Sequence, residues 1–433
     1  MTERTGVLPG RHGCAGTIGR PRPAIPDAGV VLLLAACGAG PPSPASTVRD
    51  SAGIAIIESV RPAWTAGETW TISADPVFDV GGDTSGSPSS LHLVRGVHRF
   101  SDGTVVVANG EDSTLRFFDD AGHHQTVAAG YGVGKDRLVR IAWTRLFQDT
   151  LIVGQGPTAP LRRYTSNGTM VASELPDSIT TVSFVTDVWP YADGTFGLLV
   201  PAQGLIPRSA AWYENAVFLR ATAHDTPERV LTLRGAHFAS VPPFGVRTIV
   251  FSPVLRFTWT PDRLFAGYPA AFEIGVFSPD GTRLRSIRRA WDAQPVTETE
   301  RERVRRFVHA QIPTDGPLLE REIEEMQSGA DSLPFAGTHM AYDRLLVDAE
   351  GSLWVGPPDP ERLPDLSGEL PIPNDAQDWD VFDADGEWLG RVTMPAHFYP
   401  TGIGTAHIAG VWRGPDGIEH ARVHTITKPS ATS

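Results

Sequence analysis

The sequence predicts an all-β fold built from short, repeated antiparallel meanders, and three observations predict it. Glycine (44), proline (37) and tryptophan (11) are all frequent among the 433 residues. Many turns together with many aromatics are expected of short strands joined by tight loops. Turns of the Asp-Gly or Asn-Gly kind recur along the chain in pairs, usually about 19 residues apart. Between them run stretches such as Leu115-Arg116-Phe117-Phe118 and Ile274-Gly275-Val276-Phe277, whose alternation is that of a half-buried strand.

The N-terminus reads as an address rather than as part of this fold. Arg4, Arg11, Arg20 and Arg22 precede the short apolar run Val30–Ala36, which ends at Cys37 and is followed by Gly38-Ala39-Gly40. A run this short, closed by small residues, is a secretory signal and not a membrane span. Leu34-Ala35-Ala36-Cys37 also resembles the bacterial lipobox, which implies that Cys37 is lipidated and becomes the new N-terminus. Residues 1–36 are then a signal peptide and 37–50 a flexible tether, because Gly38–Ser46 is rich in Gly, Pro and Ser. The second cysteine, Cys14, leaves with the leader. No disulfide is therefore expected, and the fold must rest on core burial.

Removing residues 1–36 takes away four arginines, Glu3 and Asp27. It leaves 33 basic against 48 acidic residues, a net charge of −15. That balance argues against nucleic acid and against anionic lipid surfaces as partners. No later stretch approaches the roughly 18 apolar residues of a membrane-spanning helix.

The repeat begins at Ser101-Asp102-Gly103 and continues to Asp119-Asp120-Ala121-Gly122. Further copies start at Asp149-Thr150, Asp193-Gly194, Pro261-Asp262 and Glu350-Gly351, and a sixth at Gly414-Pro415-Asp416-Gly417. Asp-Gly and Asn-Gly supply the positive φ that tight hairpins require. Gly103, Thr150 and Gly194 are spaced by 47 and 44 residues, which is blade length for a propeller. One meander cannot bury both of its faces, whereas meanders stacked around an axis can. The expectation is a single six-bladed β-propeller of four-stranded antiparallel blades over 51–428, with a disordered tail at 429–433. Closure is expected from Gly53–Glu58 or Trp70–Ser73 joining a blade built mainly from Ala409–Trp412 and Ile418–Ile426.

Residues 296–328 break the pattern. Thr297-x-x-Glu300 is a capping box opening one helix, with Val304, Phe307 and Val308 on its apolar stripe. Ile312–Gly316 interrupts it. A second helix is expected over Pro317–Gln327, with Leu319, Ile323 and Met326 on one face. The insertion is expected to cover a blade face or ring opening, in preference to acting as a lid over a central site.

Asp50-Ser51-Ala52-Gly53-Ile54, Arg99-Phe100-Ser101-Asp102-Gly103 running into Val106–Asn109, and Leu115–Asp119 together carry a likeness. On these stretches the body resembles the six-bladed, NHL-like propellers found among lipoproteins of environmental bacteria. The resemblance spans residues 50–427. It implies a fold and an exported lipoprotein, and it carries no catalytic residue across.

Motifs for chemistry fail on inspection. Gly130–Lys135 is not a phosphate loop, because Ala129 stands where Gly is needed and Asp136 where Ser or Thr is needed. His420 and His424 are four apart, but on a strand-like segment, so they are expected to be exposed strand histidines rather than zinc ligands. His123-His124 belongs to a hairpin turn. No Gly-x-Ser-x-Gly elbow is present. No catalytic, cofactor-binding or metal-binding residue is assigned, and Cys37 is the one modification site. The expected function is a cell-envelope binding or scaffolding module for a protein, peptide or glycan, monomeric and held to the membrane only through its lipid. The alternative is a metal-dependent propeller enzyme, lactonase- or lyase-like, with a divalent ion on the axis. Asn109 and His339 are the candidates for its dispersed ligands.

Overall fold

The computed structural model describes residues 45–429 apart from 83–86, 136, 203–209, 314–319 and 364–369. The expected signal peptide, Cys37, most of the tether and the end of the tail lie outside the described residues. Among the described residues two α-helices accompany the strands, and no helix is long and apolar enough to cross a membrane.

Four strands precede the repeat: β1 (Ser46–Ser51), β2 (Ile54–Ser59), β3 (Thr71–Ile72) and β4 (Phe78–Gly81). The first sheet is β5 (Val94–Arg99), β6 (Val105–Asn109), β7 (Thr114–Phe118) and β8 (His124–Ala129). The second is β9 (Trp143–Phe147), β10 (Thr150–Gly154), β11 (Leu161–Tyr164) and β12 (Met170–Glu174). The third has five strands, β13 (Asp187–Pro190), β14 (Phe196–Pro201), β15 (Ala211–Ala221), β16 (Glu228–Val241) and β17 (Gly245–Thr248). The fourth contains β18 (Arg256–Thr260), β19 (Arg263–Gly267), β20 (Glu273–Phe277) and β21 (Arg283–Arg289). Helices α1 (Glu298–Ala310) and α2 (Glu320–Asp331) follow. The fifth sheet is β22 (Arg344–Val347), β23 (Leu353–Gly356), β24 (Gln377–Phe382) and β25 (Trp388–Met394). The sixth is β26 (Phe398–Ile403), β27 (His407–Arg413) and β28 (Glu419–Thr427).

The six sheets are antiparallel meanders, and the apolar clusters between them run around a ring. Val106 and Leu115 of the first sheet pack with Leu151 and Val153 of the second. Ile152, Trp189 and Leu264 join the second, third and fourth. Ile274 and Ile287 meet Leu353 and Phe382 of the fifth, and Trp379 and Val392 meet Phe398 and Ile408 of the sixth. Val411 and Val423 then return to Val97 and Phe118 of the first. This is an all-β propeller, with the buried side chains concentrated between blades.

The turns sit where the repeat places them. Gly103 and Gly194 lie between the first and second strands of their sheets and Gly122, Gly281 and Gly386 between the third and fourth, all with positive φ. The sixth copy is misregistered by one loop. Asp416-Gly417 joins β27 to β28, whereas the first loop of that sheet is Gly404–Ala406 and carries no Asp-Gly.

Closure is divided among the N-terminal strands. β4 pairs antiparallel with β28 (Ala421 opposite Val80, Val423 opposite Phe78), and β3 pairs with the same strand through Ile72 and Ile426. The Trp70–Ser73 expectation therefore holds, and the Gly53–Glu58 one does not. β2 runs parallel to β21 on the outer edge of the fourth sheet, covered in turn by β1. Part of the expected tether is thus strand. The strand is covered on both faces, since the consecutive Ile56 and Ile57 are both buried, while β1 is largely polar and exposed, as suits an edge.

The capping box of α1 is formed. Thr297 Oγ1 accepts from Glu300 N, and Glu300 accepts from Thr297 N at 2.7 Å. Val304 is buried beneath the helix. α2 ends a little later than expected, at Asp331, and Gly329 packs against Pro242 and Phe244 at the β16–β17 hairpin. The expected Leu319 contact lies outside the described residues.

Candidate functional site at the propeller axis

The first strands of five sheets converge on one cavity of about 500 Å³. Its wall comes from the ends of β5, β9, β18, β22 and β26, where each strand turns into its first hairpin. Alternation aims some side chains of these strands into the neighbouring blade and leaves others for the axis.

Three kinds of polar group meet there. The first is neutral imidazole. His98 is buried on β5 with Nε2 at 2.8 Å from Thr144 Oγ1. The strands approach closely here, since a Cβ at Gly402 would fall 2.6 Å from His98 Nδ1. Burial, reinforced by the Arg145 charge, pushes the His98 pKa down to about 3. His407, at the start of β27, is pushed down to about 4 by burial and by Arg99. Thr144 does not line the cavity, so the His98–Thr144 pair holds two blades together and presents no nucleophile.

The second kind is carboxylate, and its oxygens are already occupied. Asp149 Oδ1 accepts from Ser101 N at 2.8 Å, and its other oxygen accepts from Ser101 Oγ. Asp348 Oδ1 accepts from the amides of Glu350 and Ser352 at 2.9 and 2.8 Å, and Oδ2 from Trp354 Nε1 at 3.0 Å. Both carboxylates therefore organise hairpins.

The third kind is guanidinium. Arg145 Nη2 donates to Thr258 Oγ1 at 3.1 Å. Burial and the nearby Arg344 charge pull its pKa down to about 10, so it stays cationic. Arg99 lines the same cavity half-buried. Neither arginine forms a salt bridge among the described residues, unlike Arg256 and Arg362, which both hold Asp343. Farther along the axis, Arg344 donates to Pro400 O at 2.7 Å and lies 3.4 Å from the centroid of the Tyr399 ring. Its Nη1 is buried without a hydrogen-bond partner. Asp187 on β13 accepts from Trp143 Nε1 at 2.9 Å, and burial pushes its pKa up to about 6.

A cavity so furnished offers N–H donors and cations to a ligand beside carboxylates already engaged in turns. Among the described residues no group of three or more His, Cys, Asp or Glu is placed to hold a metal ion.

A second cavity of about 590 Å³ lies beside the fifth sheet, walled partly by the start of α1. It is the larger, but its charges answer one another: Arg289 and Arg391 hold Asp380 at 2.8 and 3.2 Å, and His339 Nε2 lies 3.0 Å from Glu300. The helical insertion lines this cavity and not the axial one.

The residues singled out from sequence fall elsewhere. Asn109 is fully buried, accepting from His92 N at 2.8 Å and donating to Asp112 Oδ1 at 2.7 Å. It closes a loop, and His339 braces α1, so the two do not form a common site. His420 and His424 depart from the expectation of exposure. His424 is buried against Phe398, with Nδ1 2.8 Å from Ser73 O. His420 is half-buried, 2.7 Å from Asp79. The cause is closure, because β3 and β4 cover β28. His123 and His124 are exposed beside their turn. Gly130–Lys135 is an inter-blade loop whose Gly134 carbonyl accepts from Arg162.

No family model matches the chain, and no curated protein does. Solved structures do. A member of the DUF4221 family from Bacteroides vulgatus superposes with a TM-score of 0.50 at 10% identity, over 83% of this chain and 99% of that one. A gluconolactonase from Xanthomonas campestris gives 0.37 at 14% identity, over 77% and 87%. Virginiamycin B lyase from Staphylococcus aureus gives 0.35 at 9% identity, over 83% and 99%. At 10% identity the likeness to the DUF4221 member bears on the fold alone, and it accords with the propeller built above.

Proposed function

We propose that this chain is an exported, lipid-anchored binding module of the cell envelope that takes its ligand at the propeller axis. The observation that carries the reading is the axial cavity itself, which is concave, shared by five blades and supplied with donors, with no metal-ligating set among the described residues. Cavities of a few hundred Å³ with convergent polar groups are the usual ligand sites of globular proteins. The partner is a protein, peptide or glycan presented outside the cell, and the ring acts as a monomer.

A metal-dependent lactonase- or lyase-like activity is the competing reading. It needs three or four convergent carboxylate, amide or imidazole ligands. On the axis the carboxylates serve turns and the fixed charges beside them are arginines, which repel a divalent ion. The test is a broad lactone and ester screen of the detergent-extracted protein, with and without added Mg²⁺, Ca²⁺ or Zn²⁺, run beside a peptide and glycan binding array. Binding without turnover is expected, and metal-dependent hydrolysis would overturn the reading.

The anchor is tested separately. A bacterial lipoprotein cysteine carries several acyl chains, which hold a protein firmly where one would not. Cys37→Ser should move the protein from the membrane to the soluble fraction. Unchanged partitioning would refute the anchor.

A further inference from the structure

We infer that the axial cavity is an oxyanion site, in which Arg99 and Arg145 hold a carboxylate or phosphate group. The inference rests on the binding-module reading and names the chemistry of its ligand. Two guanidinium groups from adjacent first strands, β5 and β9, line one cavity. Neither forms a salt bridge among the described residues, although the Asp187 carboxylate is near enough to act on Arg145. Arg145 spends one N–H on Thr258 Oγ1, and for the Arg99 side chain no hydrogen bond is found among the described residues. A charge drawn out of water needs an opposite charge or a full set of hydrogen bonds; buried Arg145 has one side-chain hydrogen bond and the pull of Asp187, and half-buried Arg99 forms no salt bridge among the described residues.

The surroundings remove the alternatives within the protein. Asp149 and Asp348 line the cavity, but their oxygens already accept from Ser101 and from the Glu350–Trp354 hairpin. Arg344 adds a third cation close enough to depress the ionisation of Arg145. Asp187 and Tyr399 offset part of this repulsion, and an anion held between the guanidinium groups offsets more. His98 and His407 contribute uncharged ring nitrogens. The planar fork of arginine matches the oxygens of a carboxylate or phosphate, and two forks fix its orientation. A volume of about 500 Å³ admits a small acid or the charged end of a larger partner. Arg99 and Arg145 share the cavity with Asp149 and Asp348, so its charges balance in number; the asymmetry is that the carboxylates are engaged in turns while the guanidinium N–H groups are left for an anion.

The test is calorimetric titration of the full-length protein in detergent with citrate, with inorganic phosphate and pyrophosphate, and with glucose as a neutral probe. Oxyanions should bind and glucose should not, with affinity falling as salt is raised. The carboxylate and phosphate arms show which source of charge the site prefers. Arg145→Gln and Arg99→Gln should each weaken binding by roughly ten- to a hundredfold, as for the loss of a charge-assisted hydrogen bond. Arg321→Gln, exposed on α2, should leave it unchanged. Where Arg145→Gln fails to fold, Arg99→Gln carries the test alone, since Arg99 has no structural bond to lose. Oxyanion binding that survives the double variant would overturn the inference, as would wild-type protein that binds none of the acids. Oxyanion binding accompanied by metal-dependent turnover would leave this inference standing and overturn the non-catalytic reading. Binding of a neutral glycan alone would do the reverse.

Discussion

At the scale of single residues, three buried ionisable groups on the axis give the fold a pH dependence whose sign can be worked out. His98 and His407 are held neutral, with pKa values pushed down to about 3 and about 4 by burial. In the unfolded chain they take up a proton below about pH 6.5. The unfolded state then binds more protons, so stability is complete above that pH and falls as the pH drops toward the folded values. Asp187 acts oppositely. Its pKa is raised to about 6 by burial, so its contribution is present in acid and is lost as pH rises through about 6. Two imidazoles shifted this far outweigh one carboxyl shifted less, and the net slope follows the histidines. The expected result is a lower denaturant midpoint at pH 5 than at pH 7, with the difference reduced in His98→Gln. Exposed carboxylates do not confuse the comparison, because their window lies below about pH 4. An equal or higher midpoint at pH 5 in the wild type would show that these imidazoles are not buried neutral.

At the scale of elements, what was legible is what is local. The Asp-Gly and Asn-Gly turns announce themselves because the side chain bonds to a backbone amide two residues on: Asp102 to Thr104, Asn167 to Thr169, Asp193 to Thr195 and Asp280 to Thr282, all at 2.9–3.0 Å. The same chemistry misled at Asp416, which bonds Ile418 N in the same way but sits one loop later in its sheet. Turn chemistry marks a hairpin without saying which hairpin of the blade it is. The N-terminus of α1 was legible for the same reason, since the Thr297–Glu300 box closes within four residues. Losing it should cost about 1 kcal/mol of helix stability. Thr297→Ala is therefore expected to speed tryptic cutting within α1, at Arg301–Arg306, while leaving the melting of the ring nearly unchanged. Cleavage at the wild-type rate would mean that packing, with Val304 buried below the helix, holds α1 without its cap. The axial arginines were not legible. Arg99, Arg145 and Arg344 each look like an ordinary strand arginine, and only the ring makes neighbours of residues so distant in sequence.

At the scale of the whole molecule, the N-terminal strands divide into two groups with different consequences for the ring. β4 supplies the outer strand of the sixth sheet, and Phe78 and Val80 enter the cluster that joins this sheet to the first. Asp79 adds bonds to His420 and Arg422 at 2.7 and 2.9 Å. Trp64, Trp70 and Ile72 pack against the cluster between the fifth and sixth sheets. Without this segment the first and sixth blades lose shared core, and β28 becomes an open, apolar edge of the kind that invites association. β1 and β2 extend the fourth sheet, where Ile56 and Ile57 are the main buried apolar side chains, and touch the fifth through Ser59 Oγ, which accepts from Trp388 N at 3.1 Å, and Ser46 Oγ, which donates to Glu387 at 2.8 Å. Burying one such side chain contributes about 1.5–3 kcal/mol, a loss that a ring of six interlocked blades can absorb. A chain beginning at Pro62 should therefore stay monomeric and melt cooperatively at a somewhat lower temperature. A chain beginning at Gly82 should aggregate or lose its cooperative transition. Size-exclusion chromatography and thermal melts of the two truncations, side by side, decide the matter. If the Gly82 chain melts like the Pro62 chain, closure by β4 is not what holds the ring, and the contacts of β26 and β27 with β5 must suffice alone.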